Sequence, residues 1–138
     1  MRYLITVAAM LGLIFSANAQ AGGSKVSVAK TPPVVTKTLP VAGDTQVDPA
    51  TKEIRVTFSK SMKTEKMWSF VQVDKASYPK TTGKPKYEAD GKTIVLPVKL
   101  EPGKSYAIWL NKGKFNAFRC KGNLPAVPYL LVFETKAK

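Results

Sequence analysis

Leu100-Glu101-Pro102-Gly103-Lys104-Ser105-Tyr106 sets a Pro-Gly turn three residues ahead of a tyrosine, and the tyrosine opens an alternating apolar run, Tyr106, Ile108 and Leu110. The order is L-x-P-G-x-x-Y. A tyrosine placed so at the entry to a strand lays its ring on a core while its hydroxyl bonds back to the chain a few residues upstream. The reading is structural: Tyr106 pins a crossover between two sheets, with Leu100 and Pro102 shaping the approach to it. A catalytic or ligand-binding tyrosine is the weaker alternative at this spacing.

Outward from that corner, the chain reads as short strands separated by turn residues. Glu53 to Phe58 alternates Ile54, Val56 and Phe58 with Glu53, Arg55 and Thr57, the pattern of a strand with one wet face. Val34 to Thr36 predicts an opening strand limited by Pro40. Met67 to Val73 carries Trp68, Phe70, Val71 and Val73. Asp74 to Lys86, with Pro79, Gly83 and Pro85, predicts a long polar surface loop. Tyr87 starts a short strand, and Asp90-Gly91 suits a tight hairpin turn into Lys92 to Val98. Pro97 limits how central this strand can be, because proline cannot donate to a ladder. Ser105 to Leu110 has two apolar faces, and Tyr129 to Phe133 is continuously apolar; both are expected to be central. About seven strands in some 100 residues predict an all-β, Ig-like β-sandwich of two packed antiparallel or mixed sheets. A small closed barrel is the competing architecture.

Residues 1–21 read as a secretory signal peptide: Met1 and Arg2, an apolar run from Tyr3 to Phe15, then small residues offering cleavage after Ala19 or Ala21. The run is too short to span a bilayer, which takes roughly 20 apolar residues. No later stretch is long enough either, so no transmembrane segment is expected after cleavage. Residues 22–33, with Pro32 and Pro33, predict a flexible leader. The domain is expected over 34–136, exported to the periplasm or outside the cell.

The 138 residues hold 22 Lys plus Arg against 9 Asp plus Glu, a net charge of +13. All the basic residues but Arg2, Arg55 and Arg119 are lysines, and they are dispersed along the chain. Dispersed lysine favours solubility and blunted sheet edges, whereas a dedicated nucleic-acid binder clusters its basic residues and uses more arginine. No specific nucleic-acid partner is expected. There is no histidine and one cysteine, Cys120. That composition removes Ser-His-Asp and Cys-His catalysis, the usual zinc sites and any internal disulfide. The acidic residues sit mainly in turns, as Asp44, Asp48, Asp74 and Asp90 do, where side chains bonding their own backbone explain them. Neither an enzyme nor a cofactor is expected.

Four stretches together carry a family resemblance: Thr38-Leu39-Pro40-Val41-Ala42-Gly43-Asp44, Ile54-Arg55-Val56-Thr57-Phe58-Ser59-Lys60, Leu100 to Tyr106, and Lys121-Gly122-Asn123-Leu124-Pro125. In this order and spacing the chain resembles the bacterial Ig-like domain of the SbsA type, named for a surface-layer protein. The resemblance implies a non-enzymatic module of secreted and cell-surface proteins. Where such domains often carry an acidic residue before the Gly-Asn turn, this chain has Arg119, Cys120 and Lys121.

Three roles follow. The first is a non-catalytic binding or structural module of the cell envelope, meeting an envelope protein or polysaccharide. The second is a binder of an anionic envelope polymer or headgroup through Lys75, Lys80, Lys84 and Lys86, with Tyr78 and Tyr87 as flanking aromatic surface. The third is a small periplasmic copper carrier, since the chain is also similar to the periplasmic copper-carrier sandwiches; with no imidazole, only Met62, Met67 and Cys120 could act as ligands, and core packing explains them more simply. Ligand and oligomeric state are left open by the sequence.

Overall fold

A computed structural model describes residues 23–138; the signal peptide expected over 1–21 lies outside the described residues. Eight strands run in chain order: β1 (Val35–Leu39), β2 (Glu53–Phe58), β3 (Phe70–Gln72), β4 (Lys80–Thr81), β5 (Lys86–Tyr87), β6 (Thr93–Lys99), β7 (Ser105–Leu110) and β8 (Tyr129–Glu134). All ladder pairings between them are antiparallel. One sheet orders β1-β2-β6, with β4 and β5 both on the far side of β6, and the second orders β3-β7-β8. The sandwich expected from strand spacing is the fold found. No helix among the described residues is long and apolar enough to cross a membrane.

Alternation decides which side chains meet between the sheets. From β2 come Ile54, Val56 and Phe58, and from β6 Ile94, Leu96 and Val98, all buried. The opposite layer supplies Tyr106, Ile108 and Leu110 of β7 and Leu131 and Phe133 of β8. Each such side chain contributes roughly 1.5–3 kcal/mol by leaving water. Phe118, from the connection between β7 and β8, fills the centre: its ring lies 5.2 Å from that of Phe58 and meets Phe70 edge-on at 5.1 Å.

Three expectations are corrected. The polar stretch from Asp74 to Lys86 is not one loop, because β4 and the start of β5 lie within it and pair with β6. These strands are two residues long and built of Lys, Thr and Tyr, too short for alternation to register. Second, β6 is central despite Pro97. Val98 N donates to Lys52 O on the β2 side, while Pro97 O accepts from Thr82 N on the other. In an antiparallel strand the N and O of one residue face the same neighbour, so the nitrogen lacking a proton points into the break between β4 and β5. Third, β8 is not a central strand of its sheet. Its outer side is covered instead by the chain leaving β1: Gly43 N and Val47 N donate to Val132 O and Glu134 O, and Glu134 N donates to Asp44 O. A parallel bridge joins Val47 to Thr135.

In the leader, Lys60 Nζ donates to the carbonyls of Ala29 (3.1 Å) and Thr31 (2.7 Å), so residues 29–31 lie against the domain.

Candidate functional site

At the corner, the Glu101 N–H donates to the Tyr106 hydroxyl at 2.8 Å, and the Tyr106 ring stacks on Phe133 at 5.4 Å. Gly103 takes φ +62°, which L side chains rarely adopt, so the turn needs a residue without Cβ. The buried Thr135 ties the same corner to the end of β8: its hydroxyl donates to Glu101 O and accepts from Lys104 N. Leu100 is buried just before this turn and Pro102 is exposed within it. The hydroxyl of Tyr106 is therefore spent on the backbone and the ring on the core.

The four lysines of the polar stretch do not form one patch. Lys80, on β4, stands across from Lys99 and close enough to Glu101 to help hold that carboxyl below its usual range, behind the larger effect of the Lys104 bond. Lys75 lies in the turn closed by Asp74, whose carboxylate accepts from Ser77 N at 2.8 Å. Lys84 and Lys86 flank Pro85 on one wall of an open cleft, and the other wall is the segment from Thr64 to Phe70. The cleft has two lobes, of about 890 and 590 Å³, which meet over Trp68 and Pro85.

The chain builds this cleft from residues far apart in sequence. Tyr87, at the end of β5, is half-buried beneath it, and its hydroxyl donates to Met67 O at 3.3 Å, joining the two walls. Burial pushes the phenols of Tyr87 and, in the second lobe, Tyr78 upward, so both stay neutral. Gly83 lies against Pro97, where a Cβ would sit 3.4 Å from the proline ring. Lys66 turns the opposite wall with φ +54°, and its N–H donates to Thr64 O. A left-handed lysine is uncommon and aims its side chain at the rim. Lys121 closes the first lobe and Phe115, exposed, the second.

Lysines outnumber carboxylates around the first lobe. Lys66, Lys84, Lys86 and Lys121 face Glu65 and Glu88, and Glu88 is drawn off by Arg55, which also bonds Glu53 at 2.7 Å. Those two carboxylates raise the Arg55 pKa further above its ordinary value. Among the described residues the only other ion pair is Lys104 with Glu101, so the four rim lysines have no carboxylate partner within 4 Å. Such a cleft offers planar apolar faces between ammonium groups, the surface that an anionic ligand with C–H faces fits. Of its parts, Lys84, Lys86, Tyr78 and Tyr87 stand out in the sequence; Lys66, Trp68 and Lys121 join them only through the fold.

The three candidate metal ligands are placed differently. Met62 and Cys120 stand opposite one another in an antiparallel bridge and are both buried in the core. Met67 is half-buried in the cleft wall. Burial among Phe58 and Phe118 explains Met62 and Cys120 as packing.

Asn111 carries no signal in the sequence. It is buried, takes φ +59°, and its side-chain nitrogen donates to Phe118 O (3.0 Å) and Ala126 O (3.1 Å) while its oxygen accepts from Phe118 N (3.0 Å). That one amide holds the connection carrying Phe118, Cys120 and Ala126 into the core.

Residues 29–135 match the model of the bacterial Ig-like domain. No curated protein matches the chain. Among solved structures, domains 1–6 of the surface layer protein SbsC superpose with a TM-score of 0.50 at 16% identity, over 78% of this chain and 14% of that one. A second S-layer structure, rSbsC(31-844), gives 0.49 at 16% identity over 77% and 14%. The chain thus spans about a seventh of the length of these proteins, and the likeness concerns the fold. With the family model covering all eight strands but the last residues of the chain, this protein belongs to the bacterial Ig-like domain family.

Proposed function

We propose that the chain is an exported, non-catalytic Ig-like module of the cell envelope that binds an acidic envelope polysaccharide in the cleft between Thr64–Phe70 and Gly83–Ala89. The observation that carries this is the pairing of Trp68 and Tyr87 with four rim lysines that lack carboxylate partners. Aromatic faces suit the C–H faces of sugar rings, and the lysines suit carboxylate or phosphate groups on the same chain. The family membership supports a module that binds rather than reacts, and the S-layer proteins of like fold support a place at the cell surface. The signal peptide expected over 1–21 supports export.

Titration with alginate, a polyuronate, tests the reading, with neutral dextran as control and isothermal titration calorimetry as readout. Saturable binding of alginate only is expected, weakening at least tenfold between 50 and 500 mM salt, because exposed charges are screened within about 10 Å at 0.1 M. Lys84→Ala/Lys86→Ala is expected to weaken it about tenfold with unchanged melting, and Trp68→Ala to weaken it at any salt. The alginate is expected back at its original chain length. Equal binding of dextran, salt-independent binding or no binding overturns the cleft; shortened alginate overturns the non-catalytic part.

A further inference from the structure

The outward face of β3-β7-β8 is apolar across all three strands. Val71 stands opposite Trp109 and Trp109 opposite Leu130, and in the next row Ala107 stands opposite Val132. Val73 extends the patch beyond β3, and it, Leu130 and Val132 are each at least 39% exposed. In a chain of net charge +13 these strands carry no lysine or arginine, and Glu134 is their only charge. Lys112 lies at the other end, its ammonium 4.9 Å from the Trp109 ring. Every strand of the other sheet carries a lysine or arginine: Lys37, Arg55, Lys80, Lys86 and Lys99.

We propose that this face is an interface with a second copy of the chain, sheet on sheet about a two-fold axis, with the strands of the two copies running antiparallel. The charge pattern selects both the face of the second copy that is met and the orientation. Laid on a lysine-bearing surface of a second copy, the apolar rows would bury unpaired ammonium groups, which is costly; laid on itself, the face meets apolar rows. Ser105 and Glu134 share one end of the sheet, Leu110 and Tyr129 the other. The antiparallel arrangement therefore sets Lys112 of each copy over Glu134 of its mate, and the parallel one sets like charges together. Sheets stacked face to face sit about 10 Å apart with strands within about 30° of alignment. β7 and β8, six residues each, run about 20 Å and the three-residue β3 about 10 Å, so at about 4.8 Å per strand the face covers roughly 240 Å² and removes on the order of 300 Å² per copy from water. That is below the standard interface of about 800 Å² per partner, so the dimer is weak and reversible. This face adjoins the cleft at Val71, which also lines the second lobe, but the inference does not depend on the polysaccharide reading.

Sedimentation velocity of the purified chain from 5 μM to 1 mM, at 50 and 500 mM salt, tests it. A monomer–dimer equilibrium within that range is expected, tightening severalfold at high salt as the net charge is screened. Val132→Lys, an exposed change, is expected to weaken dimerisation at least tenfold with an unchanged melting temperature. Lys112→Glu or Glu134→Lys alone is expected to weaken it several-fold and the double exchange to restore it, a readout that a merely structural effect would not produce. A chain that stays monomeric to 1 mM at both salts overturns the proposal and leaves the face to a different partner. So does a dimer indifferent to Val132→Lys, and a double exchange that fails to restore association overturns the antiparallel arrangement.

Discussion

The inner faces of the two sheets are alike, rows of Ile, Val, Leu and Phe, while their outer faces differ. Outside β2 the chain sets Glu53, Arg55 and Thr57, with Arg55 gripping Glu53 and Glu88, and Thr57 bonded to Thr93 at 3.0 Å. Outside β7 and β8 it sets Ala107, Trp109, Leu130 and Val132. Both patterns have period two, and both satisfy the core equally. The fold constrains one side of each strand only, so the other side is where a small sandwich can differ from its relatives. Here the lysine-rimmed cleft opens between the edges of the two sheets while the outer face of β3-β7-β8 is apolar, and salt is expected to act on the two surfaces in opposite senses.

The turns that serve the two sheets differ in the same way, and a large predicted effect separates them. Next to β7 the chain is held by buried Asn111; next to β6 it is held by exposed Asp90, whose carboxylate accepts from Lys92 N, Thr93 N and the Thr93 hydroxyl. Asn111→Ala leaves Phe118 N, Phe118 O and Ala126 O without their side-chain partner in the core. Unsatisfied buried groups cost about 1–3 kcal/mol each before relaxation, so a loss of about 3 kcal/mol is expected in urea unfolding. A loss under about 1 kcal/mol would mean that the connection is held by Phe118 packing alone. Tyr106→Phe ranks next. It keeps the ring on Phe133 and removes only the acceptor of the Glu101 N–H, so about 1 kcal/mol is expected.

What the sequence conveys follows the same division. Ile54, Val56 and Phe58 announce β2 because burial on one face forces alternation, and Tyr106 is conspicuous because its turn needs Pro-Gly. The two apolar faces of β7 are legible too, but sequence alone reads them as a strand buried on both sides, whereas the outer row is open. Pro97 misleads because a proline is excluded only where a partner carbonyl waits, and the neighbouring strand breaks at that point. In the cleft, Lys84 and Lys86 lie in one polar stretch and draw notice with Lys75 and Lys80, but the Asp74 turn holds Lys75 and the pairing of β4 with β6 carries Lys80 elsewhere. Trp68, Lys66 and Lys121 come to the cleft through the segment ahead of β3, a left-handed turn and the β7–β8 connection, none of which has a periodic signal.

Acid should reach the exposed turn before the buried one. Asp90 is held below its ordinary value of 3.8, chiefly by the Lys92 N–H bond and then by Thr93. A carboxyl depressed in the folded state adds stability that is complete above the unfolded value and disappears as pH falls through the folded one. The chain is expected to lose stability below about pH 4, and Asp90→Asn to flatten that part of the curve while leaving the Asn111 side unaffected. An unchanged acid limb in Asp90→Asn would assign it to Asp74 and Glu101, which are depressed as well.

The smallest effect bears most directly on the difference between the faces. Val132 is 39% exposed, so Val132→Thr should change unfolding stability by less than about 0.5 kcal/mol, as surface substitutions usually do. The inward neighbour Leu131, fully buried, should lose about 2–5 kcal/mol on truncation to alanine. Measured at low micromolar concentration, below any self-association, the pair brackets the sheet from its two sides. A cost for Val132→Thr near that of Leu131→Ala would mean that something in the same chain covers the outer row, and the dry face would then be a second core layer rather than a surface. A negligible cost at low concentration that grows as the protein is concentrated would place the covering surface on another molecule.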